Sequence, residues 1–160
     1  MIPEIEKRIL FKISFAEKYL SIRKEFRNDG INTPIFKKNE IITIFKELGY
    51  PCNYIVGGAY VIERQYKDYK FEYSFIISKN SVNIYLHIYK KNSYIENRVT
   101  NIGAFLRYVP YNQELAEKIN ASYGLNSLRD LKIFLYKNIA LCDEFVNEYI
   151  KEINAGNAPE

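Results

Sequence analysis

The sequence predicts an α+β domain: an antiparallel three-stranded β-meander flanked by two N-terminal and about three C-terminal α-helices. Three observations carry this. From Tyr69 to Ile77 apolar and polar residues alternate, with Tyr69, Phe71, Tyr73, Phe75 and Ile77 on one side and Lys70, Glu72, Ser74, Ile76 and Ser78 on the other; a period of two marks a half-buried strand. From Leu128 to Ile153 apolar residues recur every three or four positions, the spacing of a helix face. Turn residues separate the strand segments, with no linker, repeat or low-complexity block to divide the chain. The 160 residues therefore suit one domain, 1–160, with 154–160 as a frayed polar tail.

The first helix is expected from about Pro3 to Arg27, since proline suits a first turn and Ile5, Ile9, Ile13, Ala16 and Leu20 form one stripe. Phe11, Phe15, Ile22 and Phe26 lie off that stripe, so the helix is expected to be covered on more than one side. Asn28-Asp29-Gly30 supplies its stop. A second helix is expected over Pro34–Leu48, with Thr33 as N-cap, or Asn39 for a shorter version. Ile41, Ile44, Phe45 and Leu48 form its apolar face, and Gly49 and Pro51 close it.

Gly57-Gly58 opens the strand block. A turn at Lys67-Asp68 pairs residues whose numbers sum to 135, and a turn at Lys79-Asn80 pairs those summing to 159. In these registers Tyr60, Ile62, Tyr66, Tyr69, Tyr73 and Phe75 share one face with Ile84 and Leu86. A slip of one residue would turn an apolar face to water.

After the meander, Ser93-Tyr94-Ile95-Glu96 reads as a capping box. Ile95, Val99, Ile102, Leu106 and Val109 then follow at helical spacing until Pro110. This pattern favours a helix over a fourth strand. A short helix over Gln113–Tyr123, capped by Asn112 and stopped by Gly124, precedes the long last helix, whose cap is Ser127 with Asp130 in the first turn. The broad apolar face of the last helix is expected to cover the apolar face of the meander.

The same registers bring Glu63, Glu72 and His87, the only histidine, into one row on the mixed face. Tyr85 and Tyr89 flank the row and Lys70 stands at its rim. Carboxylates beside an imidazole are the residue types of general acid–base or metal chemistry. Sheets with one wet face are common, however, and a Glu–His cross-strand pair is ordinary there. Neither a nucleophile nor an oxyanion hole accompanies the row, and no metal-binding spacing, phosphate loop or cofactor motif occurs. The expectation is no cofactor, no metal and no catalysis.

Charge is uneven. Net charge is +4, with the strand region basic and the last fifty residues acidic. That is too weak for a dedicated nucleic-acid binder. Lys70, Tyr85, Tyr89 and Lys91 nevertheless leave nucleic acid as the alternative ligand, because tyrosines stack bases while lysines neutralise phosphate. A small enzyme or metal site at Glu63, Glu72 and His87 is the third reading. The leading expectation is a non-enzymatic binding protein that occludes a partner protein's surface, in the manner of immunity proteins, inhibitors, adaptors or chaperones, with a toxin or effector as the partner type. Its binding residues are Glu72, Tyr85, His87 and Tyr89, with Glu63 and Lys70 at the rim. Cys52 and Cys142 read as reduced structural thiols. The absence of a signal-like N-terminus and of a membrane-length apolar run leads to the expectation of a cytoplasmic protein.

Overall fold

A computed structural model of the chain describes residues 2–26, 34–79, 81–91, 98–117 and 124–158. The order of elements is α1 (Glu4–Lys12), α2 (Phe15–Glu25), α3 (Lys38–Glu47), β1 (Asn53–Ile55), β2 (Ala59–Tyr66), β3 (Tyr69–Ser78), β4 (Ser81–Lys90), β5 (Arg98–Asn101), a 3-10 helix (Ile102–Tyr108), α4 (Gln113–Glu117) and α5 (Leu128–Asn154). The α+β class and the antiparallel sheet are as expected. Among the described residues the sheet has five strands rather than three, in the order β1-β2-β3-β4-β5.

The two central registers follow the sums read from the turns. Glu63 lies opposite Glu72 and Ile62 opposite Tyr73. Glu72 lies opposite His87 and Phe75 opposite Ile84. Lys67 takes the left-handed conformation at the first hairpin turn (φ 52°), which suits the twist of a tight two-residue connection.

Four expectations need correction. The N-terminal helix is broken: Ser14 sits in the left-handed region (φ 53°, ψ 45°) and separates α1 from α2. The apolar stripe runs through the break because both helices turn the same side inward, and Ile9, Ile13, Ala16 and Leu20 are all buried. α3 starts at Lys38 rather than Pro34. Its first turn is closed by the Glu40 carboxylate, which accepts from the Lys37 N–H at 2.8 Å. β1 is an added strand that pairs with β2 through Tyr54 opposite Tyr60. Finally, residues 98–101 form a strand along β4, with Val99 opposite His87, and only then does the chain enter a 3-10 helix. The proposed capping box at 93–96, the stop at 28–30 and the end of the helix expected over 113–123 lie outside the described residues.

α5 is the spine. Ser127 caps it by accepting from the Asp130 N–H at 3.1 Å, and 27 residues give it a length of about 40 Å. Leu131, Phe134, Leu135, Ile139, Phe145, Val146 and Tyr149 are at most 1% exposed, so it is covered on several sides. Toward the sheet, the Tyr149 ring meets Phe71 and Tyr69 at 5.6 and 6.0 Å. Away from it, Phe134 meets Phe26 at 5.4 Å, and Phe145 meets Phe105 of the 3-10 helix at 5.5 Å. Phe45 of α3 packs on Phe75 and Tyr60. Edge-to-face and offset pairs of this kind add to the area they bury. Ion pairs lace α1 and α2 to the outside of α5: Lys12 to Glu148 (2.6 Å), Lys18 to Glu144 (2.5 Å) and Lys137 to Glu25.

Gly103 marks the tightest approach. A Cβ there would lie 2.7 Å from the Tyr19 hydroxyl. The Asn101 carboxamide accepts from its N–H at 2.9 Å and starts the 3-10 turn. Both cysteines are free thiols. Cys142 is buried, and burial pushes its thiol up to about 12, which makes it unreactive. Among the described residues no helix is long and apolar enough to cross a membrane.

Candidate functional site: the outer face of the sheet

The sheet has two faces of different character. Phe71, Tyr73, Phe75, Ile84 and Leu86 on the inner face are at most 3% exposed. Apart from Asn101, whose carboxamide accepts from Gly103 at the start of the 3-10 helix, the described ring contacts and side-chain hydrogen bonds between sheet and helices leave from this face or from a turn.

The outer face is organised in rows by the registers. The first described row holds Gln65, Lys70 and Tyr89; the next holds Glu63, Glu72, His87 and Val99. Then come Asn53, Val61, Ser74, Tyr85 and Asn101, and after them Ile55, Ala59, Ile76 and Asn83. The six residues expected from the sequence to form the binding face therefore sit in three adjacent rows.

Glu72 is the hub of the charged end. Lys70 Nζ lies 2.6 Å from one of its oxygens and 4.0 Å from Glu63. The same ammonium stands 4.7 Å from the centre of the Tyr89 ring, a cation–π distance. The His87 Nδ1 is 3.0 Å from the Tyr89 hydroxyl and 3.8 Å from Glu72. Hydrogen bonding to Glu72 raises the affinity of Lys70 for its proton. Tyr89 is raised by partial burial and then by the charge of Glu72. Partial burial lowers the His87 pKa below its ordinary value and outweighs the pull of Glu72, so the imidazole is neutral at pH 7.

This cluster is half-buried by its own members. Glu72 and His87 have side-chain exposures of 14% and 19%. One lysine faces two carboxylates, so the outer face carries no positive excess although the strand region as a sequence is basic. The cations are elsewhere: Arg64 is turned inward onto Asp143, Lys67 bonds Asn154, and Lys91 sits in the turn after β4. Among the described residues no group of three His, Cys, Asp or Glu is placed to hold a metal ion. The cavities between α2 and α5 (about 440 Å³) and between α3 and the start of α5 (about 520 Å³) are lined by helix residues, not by Glu63, Glu72 or His87.

Sequence reasoning missed the apolar part of the face. Ile55, Ile76 and Val99 are 47%, 38% and 55% exposed. Ala59, Val61 and Ser74 lie buried between them, small side chains sunk among larger neighbours. Ile76 was visible as the one large apolar residue on the polar side of β3. Ile55 and Val99 belong to the two strands that the periodicity did not reveal.

No family model matches the chain, and neither the curated proteins nor the solved structures yield a significant match.

Proposed function

We propose that the protein is a non-enzymatic binding protein that acts by laying the outer face of its sheet on the surface of a partner protein, as immunity proteins, inhibitors, adaptors and chaperones do. Tyr85, His87, Tyr89 and Glu72 form the centre of the contact, with Glu63 and Lys70 at its rim. The observation that supports this best is the asymmetry of the sheet. Helices cover the inner face, while the described outer face keeps Ile55, Ile76 and Val99 exposed beside part-buried tyrosines and a part-buried, self-paired charge cluster. Rigid aromatic anchors surrounded by a polar rim are the composition of protein interfaces. A toxin or effector fits this reading as partner.

Capture of partners from the native cell, read by mass spectrometry, tests it. Wild-type protein is expected to retain a protein that Tyr85→Ala and Tyr89→Ala lose together. Capture unaltered by both changes rules this face out. The same experiment separates the nucleic-acid alternative: counterion release makes such binding fall steeply with salt, whereas a tyrosine-anchored interface depends on salt weakly. Lys70 already neutralises Glu72, which argues against a phosphate at this position.

A further inference from the structure

Two hairpin turns at one end of the sheet form a corner of a different chemistry. Ile55, Ala59, Ile76 and Asn83 share the last row there. Beyond it lie the turn Val56-Gly57-Gly58 and the turn that holds Lys79. Val56 is fully exposed, with Tyr54, Ile55 and Ile76 exposed around it. Gly57 and Gly58 take positive φ (108° and 90°) and carry no side chain, so Val56 stands alone at the tip.

Charge at this corner has one sign. Residues 48–62 contain no charged side chain, and residues 73–90 contain no Asp or Glu. Lys79 is exposed in its turn. Lys38 reaches in from α3, its ammonium 3.9 Å from the centre of the Tyr54 ring, and Lys37 beside it is exposed. The nearest carboxylate in sequence, Glu40, is turned onto the Lys37 N–H. Along the helix layer Lys12, Lys18 and Lys132 each meet a glutamate. Among the described residues Lys37, Lys38 and Lys79 meet none.

We infer that this corner docks tip-first on an anionic lipid bilayer. Val56 enters the interface with Ile55 and Ile76 behind it. The Tyr54 ring stands at headgroup level, where amphipathic aromatics are favoured, and Lys38 and Lys79 meet the lipid phosphates and carboxylates. Charge and shape together select this occupant. An anionic leaflet attracts lysines that have no carboxylate of their own, and it admits a protruding apolar side chain without a matching pocket. A nucleic-acid backbone would satisfy the lysines and leave Val56, Ile55 and Ile76 in water. A protein surface is held by aromatic anchors within a hydrogen-bonding rim, which the outer face has and the tip lacks. The contact stays at the surface, since no described helix is long and apolar enough to cross a membrane. Glu72 and Tyr89 lie two and three rows from Ile76, so the charged end of the outer face remains open while the corner is docked.

Vesicles of phosphatidylcholine, with or without phosphatidylserine, test this. The chain has no tryptophan, so Val56→Trp places a single reporter at the tip. Its emission is expected to move to shorter wavelength with the mixed vesicles and to stay unchanged with phosphatidylcholine alone. In flotation, the wild-type chain is expected to rise with the mixed vesicles and Val56→Asp to remain below. Each lysine near an anionic surface strengthens binding roughly fivefold, so Lys38→Gln with Lys79→Gln should weaken it roughly 25-fold. Val56 is fully exposed in a turn, and an unchanged amide spectrum verifies that its variants fold. Tyr89→Ala should float like wild type, which reads the lipid contact apart from the proposed protein contact. A wild-type chain that floats with neither vesicle overturns the inference and leaves the corner to a protein. Equal binding to both vesicles overturns it too, as does a Val56→Asp chain that floats as well as wild type.

Discussion

Two clusters on opposite faces of the sheet are built from the same parts and behave differently. Each centres on a carboxylate held by a cation and by tyrosine. On the inner side, Asp143 of α5 accepts from Tyr50 (2.8 Å), Tyr73 (2.7 Å) and Arg64 (2.9 Å), and Arg64 also donates to Asn147. On the outer side, Glu72 faces Lys70, His87 and Tyr89. The inner carboxylate draws its donors from β2, β3 and the segment after α3. It thus ties three elements to the spine helix, with Tyr73 fully buried beneath it. The outer one draws only from its own two strands, which the backbone ladder already joins. One cluster ties the helix layer to the sheet, and the other joins only strands that are already paired.

Removing the hubs is expected to give the largest contrast. Asp143→Ala strands a guanidinium and a buried tyrosine hydroxyl and should cost roughly 2–4 kcal/mol in urea unfolding. Glu72→Gln leaves partly solvated groups and should cost less than about 1 kcal/mol. Equal losses would dissolve the distinction. Gly103→Ala probes the helix side without touching a charge. Its methyl must displace the Tyr19 hydroxyl, at an expected cost of about 1–3 kcal/mol; a thermal midpoint unchanged from wild type would mean that Tyr19 yields freely. The matched hydroxyl deletions come next. Tyr73→Phe should cost on the order of 1 kcal/mol, because it takes a donor from Asp143 in a buried setting. Tyr89→Phe should stay within about 0.5 kcal/mol.

The smallest effect is one of pH. The folded-state pKa of His87 lies below the ordinary 6.5. The unfolded chain therefore binds the proton first, and stability declines as pH falls from about 6.5 through the folded value. His87→Gln is expected to flatten that part of the profile. Glu148 is also lowered, chiefly by hydrogen bonds from Lys12 and Lys151, but its contribution is lost only as pH falls below the ordinary carboxylate value of 4.5, so the decline that His87 causes begins at higher pH. A slope near pH 6 that survives His87→Gln would assign it to another group.

What was legible in the sequence follows from how far each pattern extends. β2, β3 and β4 run for eight to ten residues, long enough for parity to show, and their turns set the registers; the row Glu63–Glu72–His87 came directly from those sums. α5 was readable because its stripe spans about seven turns. β1 and β5 have three and four residues, too few for a period of two to stand out. Val99 of β5 also fell on a helical spacing with Ile102, the first residue of the 3-10 helix. The break at Ser14 left no mark because the burial pattern is the same on both sides of it. Arg64 was a readable signal left unread: parity placed it on the greasy face between Ile62 and Tyr66, and a charge there demands a partner such as Asp143.

The position of α5 after the described strands has a consequence for synthesis. All five strands exist once Asn101 has been made, but the helix that covers their inner face is complete only at Asn154. At ordinary translation rates the interval is roughly 3–10 s. During it Phe71, Tyr73 and Phe75 of a nascent meander lack the Tyr149 end of their cover, and Asp143 has yet to claim Arg64. Folding on the ribosome is thus held open until the last turns of α5 emerge, and a stop codon that removes only those turns should send the chain to inclusion bodies rather than leave a shortened but folded domain.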